Sequence, residues 1–165
     1  MKIDQVQLDN RRRQFIVTAD GRELVFPYAK LVEPPTISNR ITDVYVDEDL
    51  GNEALTYCLG DGTEGTVHLD HVLEYNRDPQ YMADLLLYKL TLEAQEHLKS
   101  SGLSNREVIR RLGTSASQYY RLLDQTNYSK SIHQMLSLLK VLGCEVDVVV
   151  RDRSAQGKHR VLVSV

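Results

Sequence analysis

Short runs of alternating apolar and polar residues dominate the first half of the chain. Two pairs of such runs are β-prone, and each pair flanks an Asp-Gly dipeptide, which tolerates positive φ and favours a tight hairpin turn. The runs are residues 14–19 and 22–26 around Asp20-Gly21, and residues 54–59 and 65–69 around Asp61-Gly62. We therefore predict two β-hairpins in this half of the chain.

The two hairpin segments also resemble each other at an offset of 41 residues. Asp20-Gly21-Arg22-Glu23 corresponds to Asp61-Gly62-Thr63-Glu64, and Leu31-Val32-Glu33 corresponds to Val72-Leu73-Glu74. We interpret this as a strand–turn–strand unit followed by a short segment and used twice, with Pro34-Pro35 closing the first copy. Chance similarity is the alternative interpretation.

The apolar period changes from two to 3.6 around residues 76–79. Asp78 is suited to capping a helix, and Pro79 is suited to its first turn. Residues 81–100 then have the pattern of a helix. Its predicted apolar stripe has four-residue spacing and consists of Leu86, Leu90, Ala94 and Leu98. The change of period predicts a domain boundary near residue 79.

Two short helices joined by a glycine turn are predicted between residues 104 and 123. Two pairs of residues match the capping-box pattern: Ser104 with Glu107, and Ser115 with Gln118. Gly113 ends the first helix, because glycine readily takes the left-handed conformation of a helix terminus. In the second helix Tyr119 and Leu122 point inward at positions i and i+3, which leaves the intervening polar residues facing outward.

A further amphipathic helix is predicted over residues 131–142, and Gly143 ends it. Its inner positions are Ile132, Met135, Leu136, Leu139 and Leu142. The tail alternates once more and predicts a β-ribbon over residues 144–165, with a turn at 154–158 and a second strand at 160–165. Two strands are marginal alone, so we expect them to pack on another surface. The predicted fold class is α+β: a β-hairpin-rich α+β domain (1–79), an all-α domain (80–143) and the ribbon (144–165).

The net charge of −3 conceals an asymmetry between the two halves. Residues 1–79 carry 8 Lys/Arg against 15 Asp/Glu, whereas residues 80–165 carry 12 against 8. An acidic front and a mildly basic back suit a chain whose second half meets a polyanion. The chain has no apolar leader and no run long enough to cross a membrane, so we expect a cytoplasmic protein that does not bind membranes. Cys58 and Cys144 are too few and too far apart for a disulfide framework or a zinc site.

The stretch from residue 102 to 123 carries the candidate chemistry, because two short helices with a glycine turn are what a helix-turn-helix requires. The second helix must enter a groove about 12 Å wide, so its outer face should be small or polar near its start. Gln118 can pair with adenine, and Arg121 can reach guanine or phosphate. Asn105 can donate to a phosphate at a helix N-terminus. The predicted DNA-binding residues are Asn105, Arg106, Ser115, Ala116, Ser117, Gln118, Tyr120 and Arg121.

The run from 80 to 143 resembles the phage-repressor (Xre/Cro-like) helix-turn-helix family. The matching pattern is Gly102-Leu103-Ser104-Asn105, then Leu112-Gly113-Thr114-Ser115, then a helix ending in Arg121-Leu122-Leu123. The resemblance implies a lambda-repressor-like helical domain of a bacterial transcription regulator, with a recognition helix at about 115–123 and Asn105 in the place of the family's usual glutamine. Residues 1–79 resemble a small uncharacterised bacterial α+β domain found joined to such domains, which brings no known chemistry.

Three functional hypotheses remain open at this point. The first is a homodimeric, sequence-specific regulator that binds double-stranded DNA and uses the front domain as sensor, partner surface or dimer contact. The second is an antitoxin-like or adaptor protein that binds a protein partner through the front domain and represses its own promoter. The third is an enzyme in the front half. A helical packing module without DNA contacts is the structural alternative.

Other signals in the sequence do not amount to a catalytic, cofactor or metal site. His68 and His71 have a metal-like spacing, but on a strand they would face opposite sides. Residues 61–65 contain two glycines without the ending of a phosphate loop, so they predict a turn. Arg11-Arg12-Arg13 predicts a solvated loop or strand start rather than a phosphate clamp. No set of nucleophile, base and orienting group can be assembled, so we expect no enzymatic activity.

Overall fold

We describe the protein from a computed structural model, which covers residues 1–151 and 160–164, with side chains described through residue 150. The chain divides into two compact units, Met1–Met82 (the first unit) and Ala83–Val165 (the second unit). The predicted boundary lies near residue 79, whereas the two units divide a few residues later, within a helix. The mixed α+β class is confirmed.

The first unit contains two three-stranded antiparallel meanders. The first meander is formed by β1 (Ile3–Asp9), β2 (Gln14–Ala19) and β3 (Arg22–Pro27), and the second by β4 (Ile41–Val46), β5 (Ala54–Leu59) and β6 (Glu64–His68). Both predicted hairpins are therefore confirmed, as β2–β3 and β5–β6. The turns differ: Asp20 and Gly21 both have positive φ in a two-residue turn, whereas only Gly62 does in the longer second turn. Strands β1 and β4 were not predicted.

The repeat in the sequence corresponds to a repeat of elements. The β2–β3 and β5–β6 hairpins each lead directly into a helical segment. In the first copy this segment is a single 3₁₀ turn at Tyr28–Lys30, and in the second it is helix α1 (Leu69–Asn76). The prediction that Leu69 ends a strand is wrong, because it begins α1. Leu69, Val72 and Leu73 are buried at i, i+3 and i+4, which is the spacing of a helix with one face on a core.

The core of the first unit lies around the central strands of the meanders. In β2 the buried residues alternate with half-buried ones, as expected for a strand with one face inward. In β5 four successive residues from Ala54 to Tyr57 are buried, so both faces of this strand are covered. Each large apolar side chain buried in this way contributes roughly 1.5–3 kcal/mol relative to an exposed one.

Helix α2 (Pro79–Ser100) begins in the first unit and continues into the second. The predicted start is confirmed, since the buried Asp78 carboxylate accepts a hydrogen bond from the Tyr81 amide at 3.0 Å and pairs with Arg22. The predicted stripe is off by one position at its beginning. Leu86 is 43% exposed, whereas Leu87 is buried. Thr91 is buried one turn later, and its hydroxyl is satisfied because it donates to the Leu87 carbonyl at 2.6 Å.

The second unit continues with α3 (Asn105–Leu112), α4 (Ala116–Leu123) and α5 (Ile132–Val141), followed by β7 (Asp147–Arg151) paired antiparallel with β8 (Arg160–Ser164). Its core residues include Val108, Tyr119, Leu122, Met135, Leu138 and Leu139. Two inner positions predicted for α5 are wrong. Ile132 is exposed and Leu136 only half-buried, because the stripe runs through Met135, Leu138 and Leu139.

The two-stranded sheet leaves part of its valine face open, since Val148 is 48% and Val150 is 59% exposed. The predicted turn at 154–158 and the final residue of the predicted strand lie outside the described residues. Among the residues that are described, no helix is long and apolar enough to cross a membrane.

Candidate nucleic-acid interface

The turn between α3 and α4 is set by two serine caps and one glycine. Ser104 Oγ accepts from the Glu107 amide at 3.2 Å, and Ser115 Oγ accepts from the Gln118 amide at 3.1 Å. Gly113 takes φ +66° at the end of α3, where its amide donates to the Arg110 carbonyl at 3.3 Å. These local bonds fix where both helices begin and where the first one ends.

The predicted caps at Ser104 and Ser115 are confirmed, but the reciprocal half of each predicted capping box is absent from the described structure, so the complete boxes are wrong. The Glu107 carboxylate instead accepts from the Arg110 and Arg111 guanidinium groups, each with a contact of 2.7 Å. These hydrogen bonds lower the pKa of Glu107 to about 2. A complete capping box does form one helix later, between Ser131 and Gln134.

Asn105 and Tyr119 connect the start of α3 to the middle of α4. Tyr119 is fully buried, and its hydroxyl donates to Asn105 Oδ1 at 2.8 Å. Burial raises the pKa of Tyr119, so the hydroxyl keeps its proton and remains the donor. Because the carbonyl oxygen of Asn105 faces the tyrosine, its amide group is left to donate elsewhere. The hydrogen bond from the buried Tyr119 therefore orients the side chain of the exposed Asn105.

The outward face of α4 consists of residues that were predicted to contact DNA. Ala116, Ser117, Tyr120 and Arg121 are exposed, and Gln118 is half-buried. The exposed Tyr120 ring packs edge-on against the buried Tyr119 ring, with the two centroids 5.2 Å apart. The start of this face is small, which would allow the backbone to approach a ligand closely.

Five cationic side chains lie between residues 104 and 131, and only two of them are unpaired within the part of the chain that the structure describes. Arg110 and Arg111 are bound to Glu107, as above. Arg106 and Arg121 are exposed and make no side-chain hydrogen bond or ion pair with any described residue. The two arginines predicted to bind DNA are thus unpaired among the described residues, whereas Arg110 and Arg111, which were not predicted to bind DNA, are engaged.

The fifth cation, Lys130, is buried and was missed by the sequence analysis. Its ammonium donates to the Leu122 carbonyl at 3.0 Å and the Asp124 carbonyl at 2.7 Å, at the C-terminal end of α4. Burial lowers the pKa of Lys130. Gln95 of α2 donates to the Leu123 carbonyl at 2.8 Å, so both side chains satisfy carbonyls that a helix end leaves open. Nothing in the local sequence distinguishes this lysine from a solvated one.

The two histidines with metal-like spacing do not belong to a metal cluster in the described part of the chain. The expectation that His68 and His71 face opposite sides is wrong, because residue 69 begins a helix and the two rings lie 6.3 Å apart. No group of three or more His, Cys, Asp or Glu side chains that could hold a metal ion occurs among residues 1–150, whose side chains are described. Comparison with protein-family models, with curated proteins and with solved structures found no match to this chain.

Proposed function

We propose that the protein is a bacterial transcription regulator that binds double-stranded DNA in a sequence-specific manner, with α4 as the recognition helix of a phage-repressor-type helix-turn-helix. One observation carries this proposal. The outward face of α4 begins with small exposed residues and ends with Arg121, which has no side-chain partner among the described residues, while Tyr119 and Leu122 anchor the opposite face in the core. A helix that is rigidly held and polar outside is suited to the major groove.

The available side chains have the chemistry of groove recognition. Gln118 can form two hydrogen bonds with adenine, and Arg121 can form two with guanine or contact a phosphate. The Asn105 amide lies at the N-terminus of α3, where the helix dipole favours an anion such as a phosphate. Arg106, one residue later, is the second cation of this surface that has no side-chain partner within the described ranges.

The lambda-repressor-like assignment and the dimer are part of the same proposal. The β7–β8 ribbon has two open strand edges and a partly exposed valine face at Val148 and Val150. A second copy would cover this face and present two recognition helices related by a two-fold axis. Two successive major grooves about 34 Å apart would then be contacted, so the operator would be an inverted repeat. Such a regulator would act in the cytoplasm without a catalytic role.

A second candidate function is an antitoxin-like or adaptor protein that binds another protein through the first unit. Its supporting observation is the loop after the first meander, where Val32 and Ile37 are 96% and 88% exposed. Large apolar side chains exposed together on one loop are typical of contact surfaces. This role is compatible with DNA binding by the second unit.

The test is a gel-shift and footprinting experiment with the full-length protein and the DNA upstream of its own coding region. We expect a protected inverted repeat at protein concentrations where unrelated DNA of equal length stays unbound. Equal affinity for the upstream and unrelated fragments, or no binding to either, would contradict sequence-specific regulation. A protein partner that co-purifies while DNA binding fails would favour the second candidate.

A further inference from the structure

The first unit contains a pocket of about 340 Å³ that no part of the proposed DNA contact uses. It lies between the β1–β2 turn, the 3₁₀ turn and the loop that leads into β4. Tyr28 and Ile41, both buried, are among its lining residues, and the exposed Ile37 adds an apolar side chain. The volume lies in the range of sites for small organic molecules.

The charge of this pocket is opposite to that of its surroundings. The first unit has nearly twice as many acidic as basic residues. The lining residues, all of them described, nevertheless include Arg13 and Arg40 and no carboxylate. The neighbouring Asp9 is already occupied, since it accepts from the Arg12 amide at 3.1 Å and from Gln14 Nε2 at 3.3 Å. Two arginines therefore line one cavity beside apolar side chains.

Arg13 is held in place beside the pocket, and both arginines of the lining leave donors unused. Arg13 has φ +55°, an uncommon conformation for a residue with a side chain, and its carbonyl accepts from the Tyr28 amide at 2.9 Å. Its guanidinium donates to the Pro35 carbonyl at 3.2 Å, which occupies one of five N–H groups. Arg40 makes no hydrogen bond or ion pair with any other side chain among the described residues.

Asn10 adds a neutral donor to the same pocket. The Tyr28 hydroxyl donates to Asn10 Oδ1 at 3.2 Å, and the pKa of Tyr28 is raised to about 12 by burial, so this hydroxyl remains protonated. The Asn10 amide is left to donate to a ligand. The pocket thus offers guanidinium and amide donors next to an apolar lining.

We propose that this pocket binds a small organic carboxylate that carries an apolar arm. The carboxylate would accept hydrogen bonds from Arg40 and Arg13 in the fork geometry that favours such pairs, and the arm would contact Ile37 and Ile41. A fully inorganic anion would leave the apolar lining in water, and a neutral molecule would leave the charge of both guanidinium groups uncompensated, with only the Pro35 carbonyl bound to Arg13. The assignment is independent of DNA binding, since it concerns the first unit alone.

The experiment uses the full-length chain labelled with ¹⁵N and titrated at constant ionic strength with hexanoate, acetate, hexanol and inorganic phosphate. We expect saturable amide shifts from hexanoate at Asn10, Arg13 and Ile37, and weaker binding of the other three probes. Arg40→Gln removes a side chain that bonds to no other described side chain and should weaken hexanoate binding by about tenfold. The matched control is Arg77→Gln, an exposed arginine of the same unit outside the pocket, which should bind as the wild type does.

A second variant separates the apolar arm from the charge. Ile37→Ser changes an exposed side chain and should weaken hexanoate binding while leaving acetate binding unchanged. The proposal is overturned if hexanol or phosphate binds as tightly as hexanoate. Equal hexanoate affinity in wild type, Arg40→Gln and Ile37→Ser would also overturn it, provided that the variants give dispersed spectra of the folded chain.

Discussion

Arg121 and Arg110 are both exposed arginines on neighbouring helices, but only Arg110 is bound to a carboxylate. We expect Arg121→Ala to weaken DNA binding by about 1–3 kcal/mol, or roughly 5- to 150-fold in Kd, because a good contact to a base or phosphate is lost. The free energy of unfolding should change little, since the side chain is exposed and forms no hydrogen bond or ion pair with a described residue. Fluorescence anisotropy at one fixed ionic strength measures the first quantity, and urea unfolding the second.

Arg110→Ala is the matched control for this variant. Its guanidinium is engaged by Glu107, and Arg111 remains to hold that carboxylate, so DNA binding should stay near the wild-type value. If Arg121→Ala binds DNA as the wild type does, or both variants lose the same affinity, α4 does not read DNA in the way we propose.

Glu107 gives a prediction about acid stability. Its pKa is lowered from 4.5 to about 2, so the folded chain keeps this carboxylate ionised where the unfolded chain takes up a proton. The resulting stabilisation is fully present above pH 4.5 and is lost as the pH falls towards 2. Glu107→Gln should therefore flatten the dependence of unfolding free energy on pH in this window. The measurement is urea unfolding at several values between pH 2.5 and about 6.

Glu96→Gln serves as the control for the acid experiment. Glu96 is an exposed residue of α2 whose contact with Lys99 is long, at 3.6 Å, and an exposed pair of this kind contributes little. Its variant should keep the wild-type profile. Identical profiles for Glu107→Gln and Glu96→Gln would show that the two arginines do not hold the Glu107 carboxylate in solution.

Individual side chains show where prediction from the sequence stops. Ser104, Gly113 and Ser115 were predictable because caps and left-handed glycines act within a few residues of the chain. Glu107 was not, because two arginines at i+3 and i+4 compete with the backbone for its carboxylate. Lys130 was not either, because its burial depends on carbonyls at the end of another element.

At the scale of elements, the α3–α4 turn depends on the conformation of Gly113. A Cβ at this position would meet nothing within 4 Å, so the cost of a substitution comes from φ +66° rather than from crowding. Gly113→Val should lower the free energy of unfolding by about 1–2 kcal/mol. Gly113→Asn should cost less, because asparagine tolerates this conformation. Equal thermal melts for wild type and Gly113→Val would contradict this account of the turn.

Pairing of β5 with β6 depends on Gly65 for a different reason. A Cβ at Gly65 would lie 2.3 Å from the hydroxyl end of the Tyr57 ring, which covers the glycine from the adjacent strand. Gly65→Ala should therefore destabilise the fold by about 1–3 kcal/mol, since the buried ring has to move. Gly60→Ala is the control, because its Cβ would meet neighbours only at 3.6 Å or more. Similar urea midpoints for both variants would contradict this packing.

The positions of helices and strands were predictable where the sequence pattern fitted only one placement of the element. The hairpins and the start of α2 satisfied this condition, because Asp-Gly turns and an Asp-Pro pair act locally. The α2 stripe did not, because three successive leucines at 85–87 offer several helical faces, and packing selects Leu87. Strand β1 was missed because its apolar residues, Ile3, Val6 and Leu8, are not evenly spaced by two, and the register of the strand shifts between Ile3 and Gln5.

At the scale of the whole molecule, the proposed dimer can be tested by measuring the oligomeric state. We expect the full chain to sediment as a dimer at tens of micromolar, because a two-stranded sheet with an exposed valine face is marginal alone. The double variant Val148→Thr and Val150→Thr should shift the protein towards monomer while keeping strand propensity. A wild-type chain that is a clean monomer, unchanged when residues 144–165 are deleted, would contradict the dimer. The matched control is Ile132→Thr, an exposed apolar residue outside the ribbon.

The pairing of Glu107 with two arginines, together with the burial of Lys130, has a consequence for counterion release. DNA carries condensed cations, and each phosphate that a protein neutralises contributes a slope of about −0.9 to the logarithm of affinity against the logarithm of salt concentration. Of the five cations of residues 104–131, only Arg106 and Arg121 have no partner in the described part of the chain and are available for this. These two would contribute a slope of about −2 per copy, or about −4 for a dimer. Specific binding would then depend on base contacts more than on ionic attraction and would persist as ionic strength rises.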